Sequence, residues 1–156
     1  MSSIVTLETP QPGVALVTVN NPDIDNQGSW EAISGLAAQL EKARDQGCYV
    51  AVIASGVPGH WLEHAYLDDL CNTFQGKPTT GDAACWFKAL QQITHPELIC
   101  IAAVEGSASG GGAELGWACD LRIAGVSSTF MQPEISLGVA PGLGGTKIRL
   151  IVSSSA

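Results

Sequence analysis

The chain has 156 residues, 46% of them hydrophobic and 14% charged, and its seven Lys and Arg against fifteen Asp and Glu give a net charge of −8. This profile excludes a disordered chain and describes one domain over residues 1–156 with material for a core. The acidic balance, with no basic run, gives neither a phosphate backbone nor an anionic bilayer anything to bind, so the expected partners include no nucleic acid and no membrane.

The amino-terminal "MSSIVTLETP" has neither a basic segment nor an apolar segment of a secretory leader, and no apolar stretch reaches the roughly 18 residues of a membrane span. Five cysteines, at 48, 71, 85, 100 and 119, are odd in number, form no CxxC pair and sit mostly in apolar stretches. They read as buried thiols of a reducing compartment, and a cytoplasmic location is expected.

"GVALVTVNNP" (13–22), "YVAVIASG" (49–56) and "LICIAAVEG" (98–106) are β-rich apolar runs ended by Asn, Pro or Gly, and "LRIAG" (121–125) is a weaker fourth. Their near-continuous apolarity predicts burial on both faces. Between the first two, residues 29–47 place Trp30, Ile33, Leu36, Ala37 and Leu40 on one helical face, with Ser29 as N-cap and Gly47 as terminator. A second helix is predicted within 81–97, where Asp82 caps, Ala83, Trp86, Phe87 and Leu90 face inward, and Pro96 forbids continuation. His95 reads as a cation at that helix's carboxyl end, and "FQGKPTTGD" (74–82) as a mobile loop. Strand and helix alternate, so the fold class is α/β, with parallel neighbours and crossover helices. The final "KIRLIVSSSA" stops soon after a glycine-rich turn without a capping element.

Chemistry concentrates in "GSASGGGAELGWAC" (106–119), a strand end and a glycine run that open a helix. The first N–H groups of a helix lack intrahelical acceptors and carry partial positive charge, and glycines let a ligand approach them. The dinucleotide spacing GxGxxG is absent, "GLGGTK" reverses the order a P-loop needs, and "GSASG" has Ala108 where a nucleophile elbow needs Ser. An oxyanion hole remains, in competition with the reading that the glycines only permit tight helix-strand packing.

Glu114, about one turn into this helix, suits the helix dipole whether or not it has further work. Glu134, twenty residues on in "FMQPEISLGVAPGLGG", is an acid in an otherwise apolar, glycine-rich stretch, where an unpaired carboxylate is costly. Two acids beside one oxyanion hole can hold a water and move its proton. "HWLEH" supplies His60, Glu63 and His64 in the HxxEH order of inverted zinc peptidases, but it follows a strand, Pro58 and Gly59 precede it, and no third ligand is identifiable. No metal is expected.

Taken together, "VEGSASGGGAELGWACDLRIAG", "STFMQPEISLGVAPGLGGT", "LVTVNNPDIDNQGSWEAI" and "GHWLEHAYLDDL" resemble, in order, the signature of the crotonase (enoyl-CoA hydratase/isomerase) superfamily. The resemblance implies a spiral of ββα units holding an acyl-CoA thioester, with the backbone N–H groups of Ala65 and Gly111 on the thioester oxygen. It implies Glu114 and Glu134 as the catalytic pair of a hydratase, with substrate or coenzyme A contacts at Glu63, His64, Tyr66, Gly110, Pro133 and Gly142. Coenzyme A enters as part of the substrate, no separate cofactor is implied, and a homo-oligomer, trimer or hexamer, is expected. An enoyl-CoA isomerase is the close alternative.

Two departures stand out. The family's Gly-Ala-Asp becomes His64-Ala65-Tyr66, which puts an imidazole at a small position and should alter coenzyme A or acyl fit rather than chemistry. Family chains reach roughly 250 residues, a domain-scale count that leaves this one about a hundred short and without the C-terminal helical region. A truncated chain lacking a complete site is therefore the non-enzymatic alternative.

Overall fold

Apolar alternation near the amino terminus starts the fold. In the computed structural model, which describes residues 3–145, β1 (Val5–Gln11) runs antiparallel to β2 (Val14–Val19), and Gly13 turns between them at φ +77°. Helix α1 (Trp30–Asp45) follows, with Ser29 Oγ accepting from Ala32 N–H at 3.2 Å and Trp30, Ile33, Leu36, Ala37 and Leu40 all buried. The predicted cap and face are both present. Strands β3 (Val50–Ser55) and β4 (His60–Leu62) precede helices α2 (Leu67–Phe74) and α3 (Ala84–Ile93). Then come β5 (Ile99–Val104), β6 (Ser107–Ser109), α4 (Gly110–Ala118), β7 (Leu121–Ala124), β8 (Thr129–Met131) and a 3₁₀ turn, Pro133–Leu137.

The strands divide by length. The longer ones form a five-stranded sheet in the order β1-β2-β3-β5-β7, parallel apart from the first pair, and the three-residue strands form a parallel sheet, β4-β6-β8. After the β1-β2 hairpin and α1, each turn of the chain lays one strand in the large sheet, one in the small sheet and then a helical segment. This is the ββα spiral, and it stacks successive turns in parallel.

Several expectations need correction. Strands β2 and β3 alternate fully buried with half-buried positions, and all four residues of β7 are exposed, so only one face of the large sheet is fully covered. Helix α3 buries Cys85, Trp86, Ala89 and Ile93, while Ala83 and Phe87 are exposed and Leu90 is half-buried. The Trp86 ring sets that rotation by filling the space beside two glycines: a Cβ on Gly28 would lie 2.4 Å from it and one on Gly111 2.8 Å. Asp82 does accept the Ala84 N–H, at 2.8 Å. His95 follows the end of α3, and its Nδ1 accepts the Glu97 N–H at 3.3 Å.

Cys48, Cys85, Cys100 and Cys119 are buried thiols, but Cys71 on α2 is exposed. Among the described residues no helix is long and apolar enough to cross a membrane. The segment "KIRLIVSSSA" lies outside the described residues.

Candidate active site

The glycine run is pressed into place. A Cβ on Gly112 would stand 2.2 Å from Leu62 O, so the start of α4 sits against the end of β4 at a distance only glycine allows. Gly110 adopts φ +50°, and a Cβ there would meet His64 Cβ at 2.8 Å and Glu134 Oε1 at 3.1 Å. Tight helix-strand packing is therefore a real function of these glycines. The same closeness brings the α4 amino terminus beside residues 63–65, with Gly111 as the second helical residue and no acceptor within its own helix.

Beyond β4 the chain continues as an extended segment paired with Gly28. Gly28 N–H donates to His64 O at 2.9 Å, and Tyr66 N–H donates to Gly28 O at 3.1 Å. Those bonds use the groups flanking Ala65, so the Ala65 N–H faces the opposite side and donates to no group among the described residues. Ala65 and Gly111 both line one cleft of about 430 Å³.

Glu114 and Glu134 line the same cleft, as do His64, Pro133 and Gly142, between apolar surfaces that include Trp30, Leu70, Trp86 and Phe87. Glu114 is 2% exposed, and its Oε1 accepts the Leu143 N–H at 2.8 Å and the Gly145 N–H at 2.7 Å. That carboxylate hangs the glycine-rich segment onto α4. Glu134 sits on the 3₁₀ turn, and its buried Oε2 has no hydrogen-bond partner among the described residues. A buried acceptor of that kind calls for a water or a ligand. Gln132, just before the turn, donates its Nε2 to Gly110 O at 3.2 Å and ties the two segments together.

Three of the residues expected in the site do not line the cleft, the first being Gly110, which is pressed between His64 and Glu134. Tyr66 does not line the cleft, and its hydroxyl donates to Asp68 Oδ2 at 2.8 Å. Glu63 is buried among protein partners, its carboxylate accepting from Ser107 and Ser109 hydroxyls and meeting His60 Nδ1 at 2.9 Å. Burial, the largest single influence on Glu63, opposes its ionisation. The two hydroxyls and the bond and charge of His60 together outweigh that and hold the carboxyl below its usual value. His60, Glu63 and His64 lie on β4 and the segment after it, so the HxxEH order forms no helical pair of imidazoles, and His64 Nδ1 is bound instead to Ala65 O at 2.9 Å.

Sequence reasoning passed over Asn26, which holds this region from below. It is fully buried at φ +54°, and its Nδ2 reaches Val19 O, Ser55 Oγ and Trp61 O at 3.1, 2.7 and 2.9 Å. Its backbone oxygen accepts the Glu63 N–H at 3.1 Å. The only local signal was the turn-rich "NNPDIDNQG", which any surface loop could carry.

Known proteins share this arrangement of the chain. The enoyl-CoA hydratase/isomerase family matches residues 9–151. The chain is 35% identical over 153 residues to a peroxisomal fatty acid beta-oxidation multifunctional protein of Arabidopsis thaliana, covering 92% of this chain and 20% of that one. It is 32% identical over 137 residues to the short-chain-enoyl-CoA hydratase of Clostridium acetobutylicum, covering 86% and 51% respectively. The crystal structure of an enoyl-CoA hydratase from Bacillus anthracis superposes with a TM-score of 0.80 at 23% identity, covering 92% of this chain and 56% of that one, a likeness of fold. The chain thus spans about half the length of these hydratases, and a smaller share of the multifunctional protein. With the match running through both the glycine-rich helix start and the Glu134 turn, the chain belongs to the enoyl-CoA hydratase/isomerase family.

Proposed function

We propose that this chain binds an acyl-CoA thioester and adds water across a 2-trans-enoyl-CoA. The observation that carries the reading is the meeting of Glu114 and Glu134 in one otherwise apolar cleft, beside two segments that offer backbone N–H groups. The thioester oxygen takes hydrogen bonds from the N–H groups of Ala65 and Gly111, which form the oxyanion hole. As negative charge grows on that oxygen, each donor lowers the barrier by roughly 3 kcal/mol. Water held between the two carboxylates adds through its oxygen to the β-carbon. One carboxylate takes the water's proton while the other delivers a proton to the α-carbon, so the elements of water are added overall.

Glu114 is suited to this work because Oε1 is occupied by Leu143 and Gly145, which fixes the side chain while Oε2 takes no bond among the described residues. The apolar surfaces of Trp86 and Phe87 suit an acyl chain, and His64, Pro133 and Gly142, which line the same cleft, suit contact with the thioester and coenzyme A. Coenzyme A comes as part of the substrate. Exposed Leu121, Ile123, Val126 and Met131 form apolar surface that favours assembly into a homo-oligomer, a trimer or hexamer. Five free thiols favour a cytoplasmic setting.

The test is loss of enoyl absorbance when purified protein meets crotonyl-CoA, with Glu114→Ala and Glu134→Ala alongside. Activity in the parent that falls at least about 100-fold in each variant supports the reading. An inactive parent, or unchanged variants, overturns it. A 3-enoyl-CoA substrate distinguishes hydration from double-bond migration.

A further inference from the structure

The chemistry above makes no use of the Glu63 carboxylate, and an apolar side chain would fill a buried position at lower desolvation cost. Its surroundings explain why an acid stands there. Backbone pairing between β4 and β6 extends only from His60–Ser107 to Leu62–Ala108. Past that point side chains continue the join. Ser109 Oγ donates to one oxygen of Glu63 and accepts the His64 N–H at 3.1 Å, while Ser107 Oγ donates to the other oxygen.

The positions matter. Glu63 directly precedes His64-Ala65, and Ser109 directly precedes Gly110-Gly111. A hydroxyl has one proton, and the carboxylate claims that of Ser109, which turns the oxygen's lone pairs toward the His64 N–H. Charge-assisted bonds of this kind are stronger and more directional than neutral ones. One atom, Ser109 Oγ, therefore joins the segment carrying one N–H donor to the segment carrying the other.

We propose that Glu63 is a positioning residue that, through Ser109, fixes the Ala65 segment against the amino terminus of α4 and so sets the spacing of the two oxyanion donors. The proposal rests on the reading of the cleft as a thioester site. It assigns Glu63 no contact with substrate, in keeping with its absence from the cleft lining.

Its test compares two serines on the same carboxylate. Ser109→Ala cuts the link between the donor segments, whereas Ser107→Ala removes a hydroxyl bond from Glu63 without touching either segment. For crotonyl-CoA hydration, Ser109→Ala and Glu63→Ala are expected to lower kcat about 100-fold with KM within about threefold, the signature of lost transition-state alignment. Ser107→Ala is expected to cost less than about threefold, and Glu63→Gln, whose amide oxygen can still accept from Ser109, to recover about tenfold of the Glu63→Ala loss. A conjugated arylenoyl-CoA, whose absorbance shifts to the red when its carbonyl is polarised, should show a smaller shift bound to Ser109→Ala than to the parent.

Equal losses in the two serine variants, or an unchanged kcat and red shift in Ser109→Ala, overturn the role of Glu63 and leave the thioester reading standing. A parent protein that neither hydrates nor polarises the thioester overturns that reading, and the positioning role falls with it.

Discussion

On one wall of the cleft α4 meets β4 so closely that a methyl on Gly112 would stand 2.2 Å from Leu62 O; on the other, the segment from Pro133 to Gly145 exposes Ile135, Leu137 and Val139. The first wall is held by backbone sterics and by the buried Glu63 cluster. The second is fastened to α4 at Leu143 and Gly145 by a single carboxylate oxygen, that of Glu114. The N–H groups proposed as oxyanion donors thus stand on the rigid wall, and Glu134 stands on the wall that Glu114 secures. Glu114 holds the segment that carries Glu134, and under the proposed hydration it would have a second task in the chemistry.

The largest expected effect separates those tasks. Glu114→Gln keeps an oxygen for the Leu143 and Gly145 N–H groups but loses the proton-transfer group, so kcat for hydration should fall about 10³-fold while proteolysis of residues 133–145 stays at the parental rate. Glu114→Ala should lose as much activity and also be cleaved faster in that segment. Equal proteolysis of both variants would break the comparison.

Next in size is the rigid wall itself. Asn26→Ala strands buried groups of three strands and should cost roughly 3 kcal/mol in denaturant unfolding. Gly112→Ala should cost about 2–3 kcal/mol, because backbone on both sides must shift to admit the methyl. The same substitution on the other wall, Gly142→Ala, meets nothing within 4 Å. It should change stability by less than about 0.5 kcal/mol. Similar costs at 112 and 142 would show that the walls do not differ.

The smallest effect concerns thiols. Burial pushes Cys85 up to about 11 and Cys100 up to about 12, and it pushes Cys119, at the end of α4, up as well. Alkylation of the native protein near pH 8 should therefore modify Cys71 first and leave these three slow. In the unfolded chain the same thiols ionise near their ordinary value of 9.0. Above that pH the native state holds more protons than the unfolded state, so stability should fall as pH rises from about 9, read from unfolding midpoints.

How much was legible depended on how local the cause was. Helix α1 carries its own cap and its own 3.6-residue stripe, and β2, β3 and β5 carry their own apolar runs, so all four could be read directly. Strands β4, β6 and β8, three residues each, are too short to show a period and form only because they pair with one another across the spiral. Helix α2 carries Leu67, Leu70, Cys71 and Phe74 at helical spacing, but over only eight residues and with none of them buried; Asp69 attaches it to α1 by accepting the Trp30 N–H at 2.7 Å. Of the site, Glu114, Glu134, Ala65 and Gly111 were reachable from the glycine run, the isolated acid and the family resemblance. Ser109 was not, because a serine in a glycine-rich stretch looks like solvated loop until its neighbour proves to be a buried carboxylate.

By itself the sequence determined the α/β alternation, the α1 face, the glycine-rich helix start and the identity of the two cleft acids, since each is written in residues adjacent along the chain or in a spaced signature. Only the tertiary structure decided that Glu63 turns away from the cleft, that Phe87 turns toward it and that Glu114 carries the opposite wall. Those outcomes depend on which groups meet across sequence separations of 29 to 46 residues, such as Glu114 with Leu143 and Glu63 with Ser109. Burial gives such meetings their force, because a polar group taken from water must find its partner wherever the fold has brought one.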